Sequence, residues 1–123
     1  MGGVKVTFLK AEPIIAALRE RAAKLLATHP GVLEISLFGS LVSGRYGPGS
    51  DADLLVILRT DPRRFVDRVP EFLEWFSGLG LSIDAFPYTV EEIERLKDSG
   101  FVRTALAERV ILASRNTCQT VNT

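Results

Sequence analysis

The sequence predicts an α/β (α+β) domain of two layers, a small mixed sheet with helices packed on one face. Three observations carry this. Apolar periodicity switches between helical and strand spacing in the order helix, strand, short helix, strand, helix, strand, helix. The 123 residues, 46% hydrophobic and 24% charged, suit one domain with one core. No apolar run approaches the ~20 residues that a membrane helix needs, and the N-terminus lacks a secretory pattern, so a soluble, cytoplasmic protein without membrane contact is expected.

From Pro13 to Thr28 the residues Ile14, Ile15, Leu18, Ala22, Leu25 and Leu26 form one helical stripe, closed by His29-Pro30-Gly31. Residues 32–38 alternate, Leu33, Ile35 and Leu37 against Glu34 and Ser36, which predicts a half-buried strand. Gly39-Ser40 closes it, and Leu41 to Ser50 reads as a short helix and a glycine-rich loop. Leu54 to Leu58 is continuously apolar, as in a central strand covered on both faces.

Asp61-Pro62 has the form of a helix start, followed by the stripe Phe65, Val66, Val69, Phe72, Leu73 and Phe76, with a kink expected at Pro70. Arg63, Arg64 and Arg68 read as a solvated face of that helix, while Trp75 and Phe76 read as core. A third strand is expected over 81–88, a capping box at Thr89-x-x-Glu92, a further helix over 100–108 and a short last strand over 110–113. His29 reads as a helix-end residue.

Fifteen basic residues balance fifteen acidic ones, so composition gives no field favouring stable nucleic-acid binding. The single cysteine, Cys118, sits in a polar tail and cannot close an internal disulfide.

Three carboxylates stand where strands disfavour them: Asp51 and Asp53 at the start of the second strand, and Asp84 inside the third. In an extended chain residues two apart share a face, ~7 Å apart. Like charges ~4 Å apart repel by about 4 kcal/mol at an effective dielectric near 20, and a divalent cation removes that cost. With no histidine or cysteine nearby, the donor set selects Mg2+ or Mn2+. Gly39 and Ser40 at a helix start would offer backbone N-H groups and a hydroxyl to a phosphate. Metal-bound carboxylates beside a phosphate cradle form a phosphoryl-transfer arrangement, in which two ions would clamp the entering and leaving oxygens.

Gly39-Ser40, ten residues, then Asp51-x-Asp53 resembles the signature of the DNA polymerase beta-like nucleotidyltransferases, and the run from Ile83 to Thr89 resembles the segment carrying their third carboxylate. Among them the chain looks most like the minimal nucleotidyltransferases, antitoxins encoded beside HEPN-type toxins. The resemblance covers roughly residues 12–113. It implies a polymerase beta-like palm over residues 1–113, while the almost wholly polar residues 114–123 read as a disordered tail by composition. It implies transfer of AMP from ATP to a tyrosine of a HEPN-type partner, with two Mg2+ ions held by Asp51, Asp53 and Asp84. Gly39 and Ser40 would hold the triphosphate. Arg45 stays open between a phosphate contact and a solvated loop residue, and Asp84 between a metal ligand and a cap or arginine partner. Rival readings are a non-catalytic antitoxin or nucleotide-binding regulatory subunit, and an antibiotic-type transferase of small molecules. The chain could act as a homo- or hetero-oligomer.

Overall fold

The computed structural model describes residues 2–39, 42 and 52–115, with side chains from Glu12 onward. The elements are α1 (Gly2–Thr28), β1 (Val32–Phe38), β2 (Ala52–Leu58), α2 (Phe65–Trp75), β3 (Ile83–Thr89), α3 (Val90–Leu96), α4 (Gly100–Glu108) and β4 (Val110–Ser114). They build a mixed four-stranded sheet in the order β3-β2-β1-β4. β1 is antiparallel to both β2 and β4, and β2 is parallel to β3. The α/β (α+β) class and mixed sheet expected from the sequence are observed, with short helices packing on the second face of the sheet as well as the long ones on the first.

The period-2 pattern divides the sheet into two faces. Ile35 and Leu37 of β1, Ala52, Leu54, Val56 and Leu58 of β2 and Ala85 of β3 meet Leu18, Ala22 and Leu25 of α1 and Phe72 and Phe76 of α2. Burying each large side chain here stabilises the fold by about 1.5 to 3 kcal/mol. This is the main core, and it takes both long helices. The opposite face adds a smaller cluster, in which Phe38 and Leu55 pack under Ala105, Leu106 and Ile93 of the two short helices. The centre of the sheet is therefore covered on both sides.

That second cover changes the reading of β1. Its alternation predicts a half-buried strand, yet all seven residues are buried. Glu34 and Ser36 lie under α4, where Arg109 donates from Nε to Glu34 Oε2 at 2.7 Å and the Ser36 hydroxyl donates to the same oxygen. Buried polar groups persist when they satisfy one another, and this trio does so.

Arg68 corrects a second expectation. Instead of lying on a solvated face it is 3% exposed. Its guanidinium donates to both carboxylate oxygens of Glu92 (2.8 and 3.0 Å) and to the carbonyls of Pro87 (3.0 Å) and Arg63 (2.6 and 2.9 Å). Glu92 closes the predicted capping box on Thr89 at the same time. One carboxylate thus joins α2, the end of β3 and the start of α3.

Two helix starts also differ. α1 begins at Gly2 and runs through Pro13. α2 begins at Phe65 rather than after Asp61, whose carboxylate accepts instead from the backbone and guanidinium of Arg63 (2.9, 3.0 and 2.7 Å). Pro70 lies inside α2, in a helix that continues to Trp75. None of the helices is long and apolar enough to cross a membrane among the described residues.

Candidate active site

β1 ends where β2 begins, since the two are antiparallel: Phe38 is paired with Asp53. β3 starts at the same end, since it is parallel to β2, and its register sets Asp84 beside Asp53. Phe38, Asp53 and Asp84 therefore form one row across three strands. Register partners on neighbouring strands have Cβ atoms about 4.5 to 5.5 Å apart and point to the same face. That face is the thinly covered one. Asp53 is half-buried and Asp84 exposed.

Gly39 completes this corner. Its φ of +87° lies in the left-handed region, and a Cβ added to it would come within 2.2 Å of Asp53 Oδ2. Only glycine gives both the backbone turn and the room for the carboxylate. The amide of Val42 donates to the Gly39 carbonyl at 3.1 Å, one turn on. Ser40, Arg45 and Asp51 lie outside the described residues, as does most of the short helix expected after Ser40.

Of the six residues singled out in the sequence, the structure brings together Gly39, Asp53 and Asp84. Asp53 and Asp84 are hard oxygen donors on one face, and their adjacency fits a divalent cation. No cluster of three or more candidate metal ligands occurs among the described residues. Asp51 is one position before β2, so a third carboxylate belongs to a residue outside the description.

A model of the nucleotidyltransferase domain matches residues 16–112. The chain belongs to the nucleotidyltransferase domain family. The match takes in the Gly39-Ser40 pair and all three aspartates. The fold agrees with solved nucleotidyltransferase structures. A candidate nucleotidyltransferase from Sulfolobus solfataricus superposes with a TM-score of 0.66 at 19% identity, over 89% of this chain and 87% of that one. A toxin-antitoxin complex with AMP-PNP superposes with a TM-score of 0.52 at 19% identity, and a mutant of the toxin-antitoxin MntA-HpeT with 0.52 at 18%. Both alignments cover 84% of this chain and 78% of the other. None of the curated proteins matches the sequence.

An aromatic floor next to the carboxylates escaped the sequence reading. Phe101, in the first turn of α4, packs on Phe38 (ring centroids 5.5 Å) and Phe86 (4.8 Å), which also pack on each other (5.6 Å). Phe38 immediately precedes Gly39, and Phe86 follows Asp84 by two residues. Those placements were visible in the sequence, but the contact that Phe101 makes from a separate helix was not.

Proposed function

We propose that this chain is a metal-dependent nucleotidyltransferase that moves AMP from ATP to a hydroxyl, the acceptor being a tyrosine of a HEPN-type toxin that the modification silences. The observation that carries the reading is the Asp53–Asp84 register pair beside Gly39, an arrangement that a purely structural turn does not need. The family match to the same segment supports it, and so does the likeness of fold to a toxin-antitoxin complex holding AMP-PNP.

In this reading Gly39 and Ser40 receive the β- and γ-phosphates, with Arg45 contacting the triphosphate from the following loop. Asp51, Asp53 and Asp84 would hold two Mg2+ ions (Mn2+ would serve). When bound, the ions supply Lewis-acid stabilisation of the oxygens entering and leaving phosphorus. The acceptor hydroxyl attacks the α-phosphorus, forming a new O–P bond. The bond from that phosphorus to the bridging oxygen breaks and pyrophosphate leaves with the electron pair. Asp84, the exposed carboxylate, takes the hydroxyl proton and passes it to solvent. Positioning and charge neutralisation provide most of the rate, as in phosphoryl transfer generally.

The test is intact-mass measurement of the partner after incubation with this chain, ATP and Mg2+. A mass step of one AMP per transfer is expected, and it should vanish with Asp53→Asn and with Asp84→Asn while both variants keep the wild-type melting temperature. Neutralisation of the toxin by a doubly substituted Asp51→Asn, Asp53→Asn chain that leaves no adduct would assign the antitoxin effect to binding alone.

A further inference from the structure

We propose that Phe101 is the residue that selects the acceptor, holding a phenol ring against Phe86 so that its hydroxyl reaches Asp84. The inference rests on the nucleotidyl-transfer reading above. Phe101 is 46% exposed, although its ring contacts two other phenylalanines. The buried residues of α4 are Val102 and Ala105, so Phe101 lies at the margin of the packed face. The ring touches Phe38 and Phe86 on the sheet and still leaves nearly half of the residue open. An open aromatic ring beside two others offers a surface on which a further ring can stack.

The position of the floor indicates which substrate does so. Phe38, Asp53 and Asp84 form one row, and the next row along the same face contains Leu55 and Phe86. Phe86 is therefore ~7 Å from Asp84 along β3, and Phe101 lies over it. An in-line displacement places the attacking oxygen opposite the leaving group. With the triphosphate received at Gly39, at the end of β1, attack comes from the β3 side, over Asp84. A phenol carries its hydroxyl directly on the ring, so a ring lying on Phe86 and Phe101 delivers that oxygen to Asp84. Serine and threonine offer no ring to this floor. The adenine base is separated from the reacting phosphorus by a ribose.

The experiment uses the full chain with N-acetyl-tyrosinamide as probe and N-acetyl-leucinamide as control. Binding is read by saturation-transfer NMR and AMP transfer by mass. The wild-type protein should saturate the phenol protons and leave the leucine probe unaffected. Phe101→Leu, which keeps an apolar side chain but removes the ring, should weaken the phenol about 2- to 12-fold with ATP affinity unchanged, the range expected for one aromatic pair. Phe101→Tyr should restore it. Equal saturation of both probes by the wild-type chain overturns the proposal, and so does a Phe101→Leu defect that falls on ATP instead of on the phenol. The wild-type comparison of the two probes needs no variant to fold. Phenol binding that depends on Phe101, with no AMP transfer to the probe or to the protein partner, would leave the phenol site standing and refute the catalytic reading.

Discussion

Gly39→Ala is the substitution whose outcome the geometry fixes most narrowly. The new Cβ would lie 2.2 Å from Asp53 Oδ2, and real Cβ atoms essentially never come closer than 3.0 Å, so the carboxylate must retreat by the difference, 0.8 Å. The backbone also has to hold a φ of +87°, which costs a non-glycine residue about 1 to 2 kcal/mol. Gly78 isolates the second effect: its φ is +80° and an added Cβ meets nothing within 4 Å. Gly78→Ala should therefore lose about 1 to 2 kcal/mol, a few degrees in melting temperature for a domain of this size, with AMP transfer intact. Gly39→Ala should lose more stability than that. Because it moves the carboxylate proposed to hold metal by nearly an ångström, it should also lower the transfer rate by about 100-fold. Thermal unfolding and mass-detected transfer on the two variants side by side give the comparison. Equal melting temperatures and equal rates for Gly39→Ala and Gly78→Ala would refute the claim that Gly39 is there to make room for Asp53.

Arg68→Met should destabilise the chain by about 3 to 5 kcal/mol, since it strands the Glu92 carboxylate beside β3, and the loss should shrink when Glu92→Gln is added; urea unfolding measures both. The guanidiniums of Arg63 and Arg68 hold the Asp61 carboxyl down at about 2, below its ordinary 3.8, and Arg68 with the Thr89 amide lowers Glu92. Both carboxylates are depressed in the folded state, so their stabilisation is present above the unfolded values and disappears as the pH falls from about 4 to 2. Melting temperature should drop across that window, and less steeply in Asp61→Asn. Phe72→Ala, which empties a fully buried ring site under α2, should cost about 3 to 5 kcal/mol by the same unfolding measurement.

The elements that can be read from the sequence are those whose signal is carried by their own residues. The unbroken apolar run of β2 announces burial on both faces, and the capping box at Thr89 and Glu92 lies within four consecutive residues. Asp53 and Asp84 stand out because they break apolar strands. What could not be read depends on residues far along the chain. Arg68 sits near two exposed arginines and looks solvated until Pro87 and Glu92 fold over it. Glu34 and Ser36 look like the wet face of β1 because Arg109, which pairs with Glu34, is 75 residues away. Long-range partners of polar side chains are the common cause in both; Asp61 is the exception, since it looks like a cap while its carboxylate goes to Arg63, two residues on.

The separation between the Gly39-Ser40 pair and Asp53 follows from topology. Antiparallel pairing brings the end of β1 to the beginning of β2, so a hairpin turn of a few residues would suffice to connect them. This chain spends residues 40–51 there. The excess length leaves room for the phosphate site proposed at Gly39-Ser40, where the end of β1 meets the starts of β2 and β3. The parallel crossover through α2 then returns β3 to the same edge, and Asp84 enters the row next to Asp53. Two different connections, one antiparallel and one parallel, thus place a glycine and two carboxylates side by side, and the sheet that positions them is clamped from behind by Phe72 and Phe76. Substitutions in that clamp should therefore lower transfer through loss of fold, in step with stability. Substitutions at Gly39, Asp53 and Asp84 should lower it far beyond what stability accounts for, and the two classes separate on a plot of rate against melting temperature.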